Sequence, residues 1–362
     1  MCLKKTLILV LVTLFFYSCG KEKYSIEINN EIRTFSEFPL EKKIKFKKIV
    51  EYEKGEPYSL YLSDSVIITP NSSIKKGFYF YNYSLKTNTF STGYLEKGRG
   101  PDEALSIGSY GINGNVFWAF DKIQKKIFTE DKKKVLNNVP LNFKTFSTAK
   151  SYYNISFIDS SRYLANGDRF SLVKFEEYDL NSKQGLNKYG EFMDHNNNAP
   201  IDGVKTAYQA FLFTKPSKDK AVVAYRRTDL IEIFNLKDKS DNYAVQGPVM
   251  HDVKLKFRKN GVINIFIKNE NTINSFVGGA VTDKYIYLPF SGKKRHKKNE
   301  RDTNLNYSYA KQIHVYDWNG KPIKKLSFDE NIMAITVSKD DKTIYAYDVD
   351  SGFLIEATIN LK

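Results

Sequence analysis

The feature that most constrains this chain is a short module that recurs six times. Each copy is a run of aromatic or β-branched residues ending in Asp, Asn or Ser, then a polar turn and a second apolar run. The copies begin at residues 78, 116, 173, 230, 312 and 343, with Ser84, Asp121, Asp179, Asn235, Asp317 and Asp348 in the equivalent place. Alternation with period two marks strands with one face in a core. The short polar side chain can bond its own backbone two residues on, which suits a tight turn. In the fifth copy Asn319-Gly320 adds a hairpin dipeptide. A second hairpin, with turns at residues 159–161, 217–220, 282–284 and 338–342, precedes several modules. Two hairpins make a four-stranded unit.

Past Lys21 no long stretch keeps a helical period, and the content of 25 Tyr and 26 Phe favours strands. With 41% hydrophobic residues the chain can bury a large core, which excludes wholesale disorder. The interval between modules averages roughly 53 residues, against ~40–50 for a propeller blade. Radial four-stranded sheets bury both faces and leave only short edges. The expected fold is all-β, a six-bladed β-propeller, with an early strand near residues 44–52 closing the last blade. The alternative is seven blades, the extra sheet coming from residues 254–274 in the widest interval.

The first 20 residues stand outside this fold. Lys4-Lys5 precede an apolar run at residues 6–17, too short to cross a bilayer as a permanent helix, and Ser18-Cys19-Gly20 follow. Phe16-Tyr17-Ser18-Cys19 resembles a bacterial lipobox, whose Cys becomes the acylated first residue. The expected organisation is a signal peptide at 1–18, a tether at 19–40 and a propeller at 41–362, with Cys19 as the lipidation site. Cys2 and Cys19 are the two cysteines, so the mature chain has no thiol for a disulfide, a zinc site or a nucleophile. A multiply acylated Cys holds a protein firmly on a membrane. The expected address is the cell envelope, on the outer membrane, facing the periplasm or the exterior.

Further along, Gly98-Arg99-Gly100-Pro101-Asp102-Glu103 forms a distinctive loop, and Tyr208-Gln209 precede Ser217-Lys218-Asp219-Lys220 and Arg226-Arg227-Thr228-Asp229. Lys284-Tyr285-Ile286-Tyr287 and Tyr316-Asp317-Trp318-Asn319-Gly320-Lys321-Pro322 follow. From Glu41 onward these residues resemble the TolB-like six-bladed β-propeller lipoproteins of Bacteroidetes. The resemblance implies a fold and an envelope address, and no settled reaction.

The chain carries 56 Lys and Arg against 41 Asp and Glu, a net charge of +15. Its densest run is residues 293–298, with Arg301 nearby, suited to phosphorylated lipid, anionic glycan or a partner protein, or to a solvated excursion. Export makes nucleic acid an unsuitable partner. The Gly-Pro loop fits a phosphate cradle poorly, because Pro101 lacks a donor and Asp102 and Glu103 repel anions. His195, His251, His296 and His314 have no metal-ligand spacing and suit surface or packing roles. No Gly-x-Ser-x-Gly elbow occurs, and Asp340-Asp341 and Asp348 with Asp350 lack EF-hand spacing. Glu176-Glu177 alternate faces on a strand, a poor start for glycosidase chemistry. No metal or cofactor is expected.

The residues expected at the propeller mouth are Arg99, Asp102, Glu103, Tyr208, Gln209 and Arg226, a mix that suits a sugar or peptide. A competing reading pairs Arg99 and Arg226 with Asp102 and Glu103 to fix neighbouring blades. The expected function is that of a monomeric, membrane-anchored scaffold binding a protein or glycan. The alternative is an envelope lyase or hydrolase acting on a sugar or ester in the central funnel.

Overall fold

The computed structural model describes residues 32–71, 77–168, 171–192, 199–295 and 307–361. Sheets of antiparallel strands follow one another along the chain, each running from an inner strand outward. Blade one is Tyr61–Ser63, Val66–Pro70, Phe78–Ser84 and Tyr94–Lys97. Blade two is Ile107–Asn113, Val116–Asp121, Lys126–Asp131 and Lys144–Ser147. Blade three is Asn154–Phe157, Arg162–Asn166, Val173–Asp179 and Gly185–Glu191. Blade four is Ala210–Thr214, Lys220–Tyr225, Leu230–Asn235 and Tyr243–Gln246.

Blades five and six share a strand. Ala280–Val281, Tyr285–Lys294 and Ala310–Asp317 form blade five together with the first half of the long strand Pro322–Val337. Its second half is the inner strand of blade six, followed by Thr343–Asp348 and Phe353–Thr358. Lys47–Glu51 then pairs antiparallel with Phe353–Thr358, so the N-terminal part of the chain closes the last blade as expected. Residues 254–274 contribute a two-stranded hairpin, Phe257–Asn260 with Ile263–Phe266, and not a complete sheet; the count is six.

Contacts between neighbouring inner strands run right round the ring. Ser59 Oγ donates to Tyr110 Oη at 3.2 Å and the Ile155 amide to Ser109 Oγ at 2.9 Å. Thr214 Oγ1 donates to Ser156 Oγ at 2.6 Å, and the Leu62 amide bonds Thr336 Oγ1 at 3.0 Å. Between blades four and five the chain comes so close that a Cβ on Gly279 would lie 2.8 Å from the Phe213 ring. The core is divided in the same way, into one apolar cluster per seam, each filled from the facing sheets of two blades. Phe80 and Phe117 meet edge to face between blades one and two, and Trp118 meets Phe157 between two and three.

The recurring polar residue does what the module requires of it. Asp179 Oδ1 accepts from the amides of Asn181 and Ser182, and Asp317 Oδ1 from those of Asn319 and Lys321. Asp121 Oδ1 takes the Ile123 and Gln124 amides in the same way. The modules are not all in one phase, however. Asp121 and Asp348 end second strands of their blades, whereas Ser84, Asp179, Asn235 and Asp317 end third strands.

The segment assigned to a tether at 19–40 is partly inside the fold. Ile32–Thr34 adds a parallel strand to the outer edge of blade four, and Phe38 is buried against Tyr316 and His314. Glu41–Lys43 then runs parallel to the outer strand of blade five. These additions cover edges that would otherwise expose unpaired backbone groups.

Candidate functional site

Call the top face the one where each blade's outer strand hands over to the next blade's inner strand. Blades three to five carry their long insertions here. A helix, α1 (Ile201–Ala207), lies between blades three and four, and the hairpin at residues 257–266 lies between four and five. The two pack together. The Asn264 amide donates to Asp202 Oδ2 at 2.5 Å and the Phe266 amide to Thr206 Oγ1 at 2.8 Å. A Cβ on Gly203 would come within 2.5 Å of the Phe257 ring, so a residue without a side chain is needed for this approach.

Beside this wall four cations converge. Arg226 and Arg227 sit on the loop between the second and third strands of blade four. The Arg226 amide donates to Gln209 O at 2.9 Å and its carbonyl accepts from the Ser275 amide at 2.8 Å. The Arg226 guanidinium lies over the Phe211 ring and that of Arg227 over Phe266. Arg227 is only 4% exposed, yet its Nη1 and Nη2 reach Tyr307 Oη and Gln209 Oε1 at no better than 3.5 Å. The Nε atoms of both arginines are buried without a hydrogen-bond partner. Arg295 Nη1 donates to the carbonyl of Lys268 at 3.5 Å, and Lys268 stands at the solvent side of the group. Desolvation and then the charges of Arg227, Arg226 and Arg295 pull the Lys268 ammonium down to about 8. Among the described residues no carboxylate pairs with any of the four. Asp229, the acid closest in sequence to the two arginines, accepts instead from the amides of Val249, Met250 and His251.

A second charged region lies one seam away. Lys174 Nζ donates to Glu232 Oε1, and Tyr225 Oη donates to Glu232 Oε2 at 2.6 Å. Lys150 Nζ bridges Asp168 at 3.0 Å and Glu176 at 3.2 Å, while Lys205 Nζ donates to the Asp168 carbonyl. Glu177 faces the other way and accepts from Arg162, Asn187 and Tyr189, so the adjacent pair Glu176-Glu177 does alternate faces. Tyr153, Phe192, Lys205, Tyr208, Gln209 and Tyr225 are among the residues enclosing a cavity of about 20 Å³ here. That is room for about one water molecule.

The expected mouth residues divide between separate places. Tyr208 and Gln209 line the small cavity, and Gln209 with Arg226 reaches the cation cluster. Arg99, Asp102 and Glu103 belong to the loop after blade one, which is tied largely to itself. Glu103 Oε2 accepts from the Gly100 amide at 2.7 Å, and Gln124 Nε2 holds the carbonyls of Gly98 and Glu103. Arg99 is exposed, and Asp102 and Glu103 border a groove of about 530 Å³ between blades one and two. None of the three pairs with Arg226, so the blade-fixing ion pairs do not form. Arg295 belongs to the basic run at 293–298 that the sequence singles out for an anionic partner, and Arg227 to the doublet Arg226-Arg227, whereas Lys268 and Tyr307 carry no signal in the sequence. Cys19, His195, His296, Lys297, Lys298 and Arg301 lie outside the described residues. Burial among Phe38, Phe276 and Phe290 drives His314 down to about 3, a packing role. Asp341 accepts from Thr282 and Tyr287 and joins blade six to blade five.

The family described as TolB-like 6-blade propeller-like matches residues 34–340. The chain belongs to this TolB-like family. Among solved structures it is similar to a Bacteroides fragilis protein described as exported. The two share 10% identity over 92% of this chain and 100% of that one, with a TM-score of 0.54. The β-propeller domain of Cps50 (Swd1) from Myceliophteria thermophila matches at 10% identity over 87% of this chain and 100% of its own, with a TM-score of 0.49. Among curated proteins none matches this TolB-like chain.

Proposed function

We propose that this TolB-like propeller is a bacterial cell-envelope lipoprotein, anchored to the outer membrane through Cys19, that holds a protein or glycan partner against its top face. The observation that carries the binding half is the group Arg226, Arg227, Lys268 and Arg295, which lies among the top-face loops without a neutralising acid among the described residues. Cations that lack an acidic counter-ion within the fold suit an anionic ligand. The wall of α1 and the hairpin gives that ligand a shaped edge. The anchor rests on Ser18-Cys19 after a short apolar run, and an exported relative of the same fold is in keeping with it.

Two measurements test this. Replacing Cys19 with Ala is expected to move the protein from the membrane to the soluble periplasmic fraction, because no later stretch of the sequence supplies a ~20-residue apolar span. A variant that stays on the membrane after a high-salt wash overturns the anchor. Capture of a partner from native membranes by the wild-type chain, lost in Arg226→Glu, is the result expected for the binding face. Equal capture by both overturns it.

A further inference from the structure

We propose that Arg226, Arg227, Lys268 and Arg295 form a site for a phosphate monoester, which enters from the solvent side of the top face. This rests on the reading of that face as the binding face and adds the chemistry of what it takes. The geometry is graded. Arg227 lies deepest, almost wholly covered; Arg226 and Arg295 are half-buried, and Lys268 is exposed at the rim. Both guanidinium groups of blade four lie over aromatic rings, and the Nη donors of Arg227 are met only by two long contacts of 3.5 Å. Their buried Nε donors have no acceptor, a condition native proteins seldom leave unanswered. Tyr307 Oη and Gln209 Oε1 accept from Arg227 only at the edge of bonding range, contacts that a charged acceptor would outcompete.

The charge count selects among anions. A carboxylate or a phosphodiester brings a single negative charge to four cations. A phosphate monoester carries roughly −1.5 to −2 at neutral pH and offers three acceptor oxygens. Fork-shaped arginine donors match those oxygens in pairs, and a lysine at the rim adds a point charge. Burial first, and then the charges of Arg227, Arg226 and Arg295, hold the Lys268 ammonium below its ordinary value. Free phosphate, a phosphosugar and a phosphorylated lipid headgroup share this chemistry. The rival occupant is an acid of this chain, because Glu300 and Asp302 follow Arg295 closely in sequence.

The test uses the full lipidated chain in detergent, titrated calorimetrically with inorganic phosphate at constant ionic strength, with acetate as the single-charge control. One site preferring phosphate by about tenfold or more is expected, with affinity falling about tenfold in Lys268→Gln and returning in Lys268→Arg. Lys268 is exposed, so its variants keep the fold, and circular dichroism checks this. In a second arm, vesicles containing phosphatidic acid are compared with vesicles containing phosphatidylglycerol. Selective binding to the former assigns the phosphate to a lipid headgroup, and binding of inorganic phosphate alone assigns it to a soluble ligand. No binding in either arm, or equal affinity for acetate and phosphate, overturns the proposal. So does a Glu300→Gln/Asp302→Asn variant that loses thermal stability while gaining phosphate affinity, since the chain then neutralises its own cluster. Retained partner capture without any phosphate binding would sink this site chemistry and leave the binding face standing.

Discussion

Two charged regions lie side by side on the top face, and they handle charge in opposite ways. Between blades three and four, Lys150, Lys174 and Lys205 each meet an acceptor, and Glu232 is held by both Lys174 and Tyr225. Between blades four and five, Arg226 and Arg227 meet aromatic rings, Arg227 also a phenol and an amide, and Arg295 the Lys268 carbonyl, but neither these three nor Lys268 meets an acid among the described residues. Burying a charge is costly unless it is paired. The first region is therefore explained by the fold that contains it. The second is not, and its incompleteness is what marks it as a place for a ligand.

The comparison breaks most visibly at Glu232. Glu232→Ala leaves Lys174 buried without its counter-ion and Tyr225 Oη without its acceptor. Urea denaturation is expected to show a loss of about 3–5 kcal/mol, the cost of removing one partner of a buried pair. A loss below about 1 kcal/mol would mean that this region, too, is not built for stability.

Lys205 gives a second, smaller effect that appears only with pH. Burial lowers its pKa from 10.5 to about 8, against the opposing pull of Asp168 and Glu176. Between those two values the unfolded chain keeps the proton that the folded chain has released. The unfolded state then binds more protons, so stability rises with pH across that window. Denaturation midpoints from pH 7.5 to 10.5 should show the rise, and Lys205→Met should remove roughly 2–3 kcal/mol of it. An identical pH profile in the variant would show that Lys205 is not the group responsible.

Much of this architecture was legible because its determinants are local. The strand ending in Asp or Asn encodes its own turn, and that is why six modules could be read without a tertiary contact. The phase was not legible, since the same turn chemistry serves after a second strand at Asp121 and after a third at Asp179. Nor was the strand Pro322–Val337, which serves two blades, because nothing in its pattern marks the point where it passes from one to the next. Ile32–Thr34 is too short for alternation and is fixed by the open edge it covers. For the site, Arg226 and Gln209 stood out as polar groups flanking strands. Lys268, Arg295 and Tyr307 arrive from other loops, and only the packing of the insertions brings them together. The Gly-Pro loop was conspicuous for a different reason: its hydrogen bonds serve its own backbone.

The subtlest test concerns Arg226 itself, where structural and ligand-binding roles predict opposite signs. If Arg226 were one half of an ion pair between blades, Arg226→Glu would reverse an attraction and lower the melting temperature by several degrees. The structure gives it no such partner; its guanidinium rests on Phe211, and its charged neighbours are cations. A carboxylate placed there meets Arg227 and Lys268, so repulsion inside the cluster falls. The expected change in stability is therefore small and of the stabilising sign, about 0–1 kcal/mol, as for other partly exposed pairs. It should shrink further in high salt, because ions screen whatever the cluster exposes to solvent. The same substitution fills the site with a negative charge and should abolish phosphate binding. Stability kept and binding lost is the pattern of a functional site whose assembly costs stability, as commonly seen where activity and stability compete. Stability lost by more than about 2 kcal/mol would place Arg226 with Glu232, among the groups that hold blades together, and would erase the contrast between the two regions.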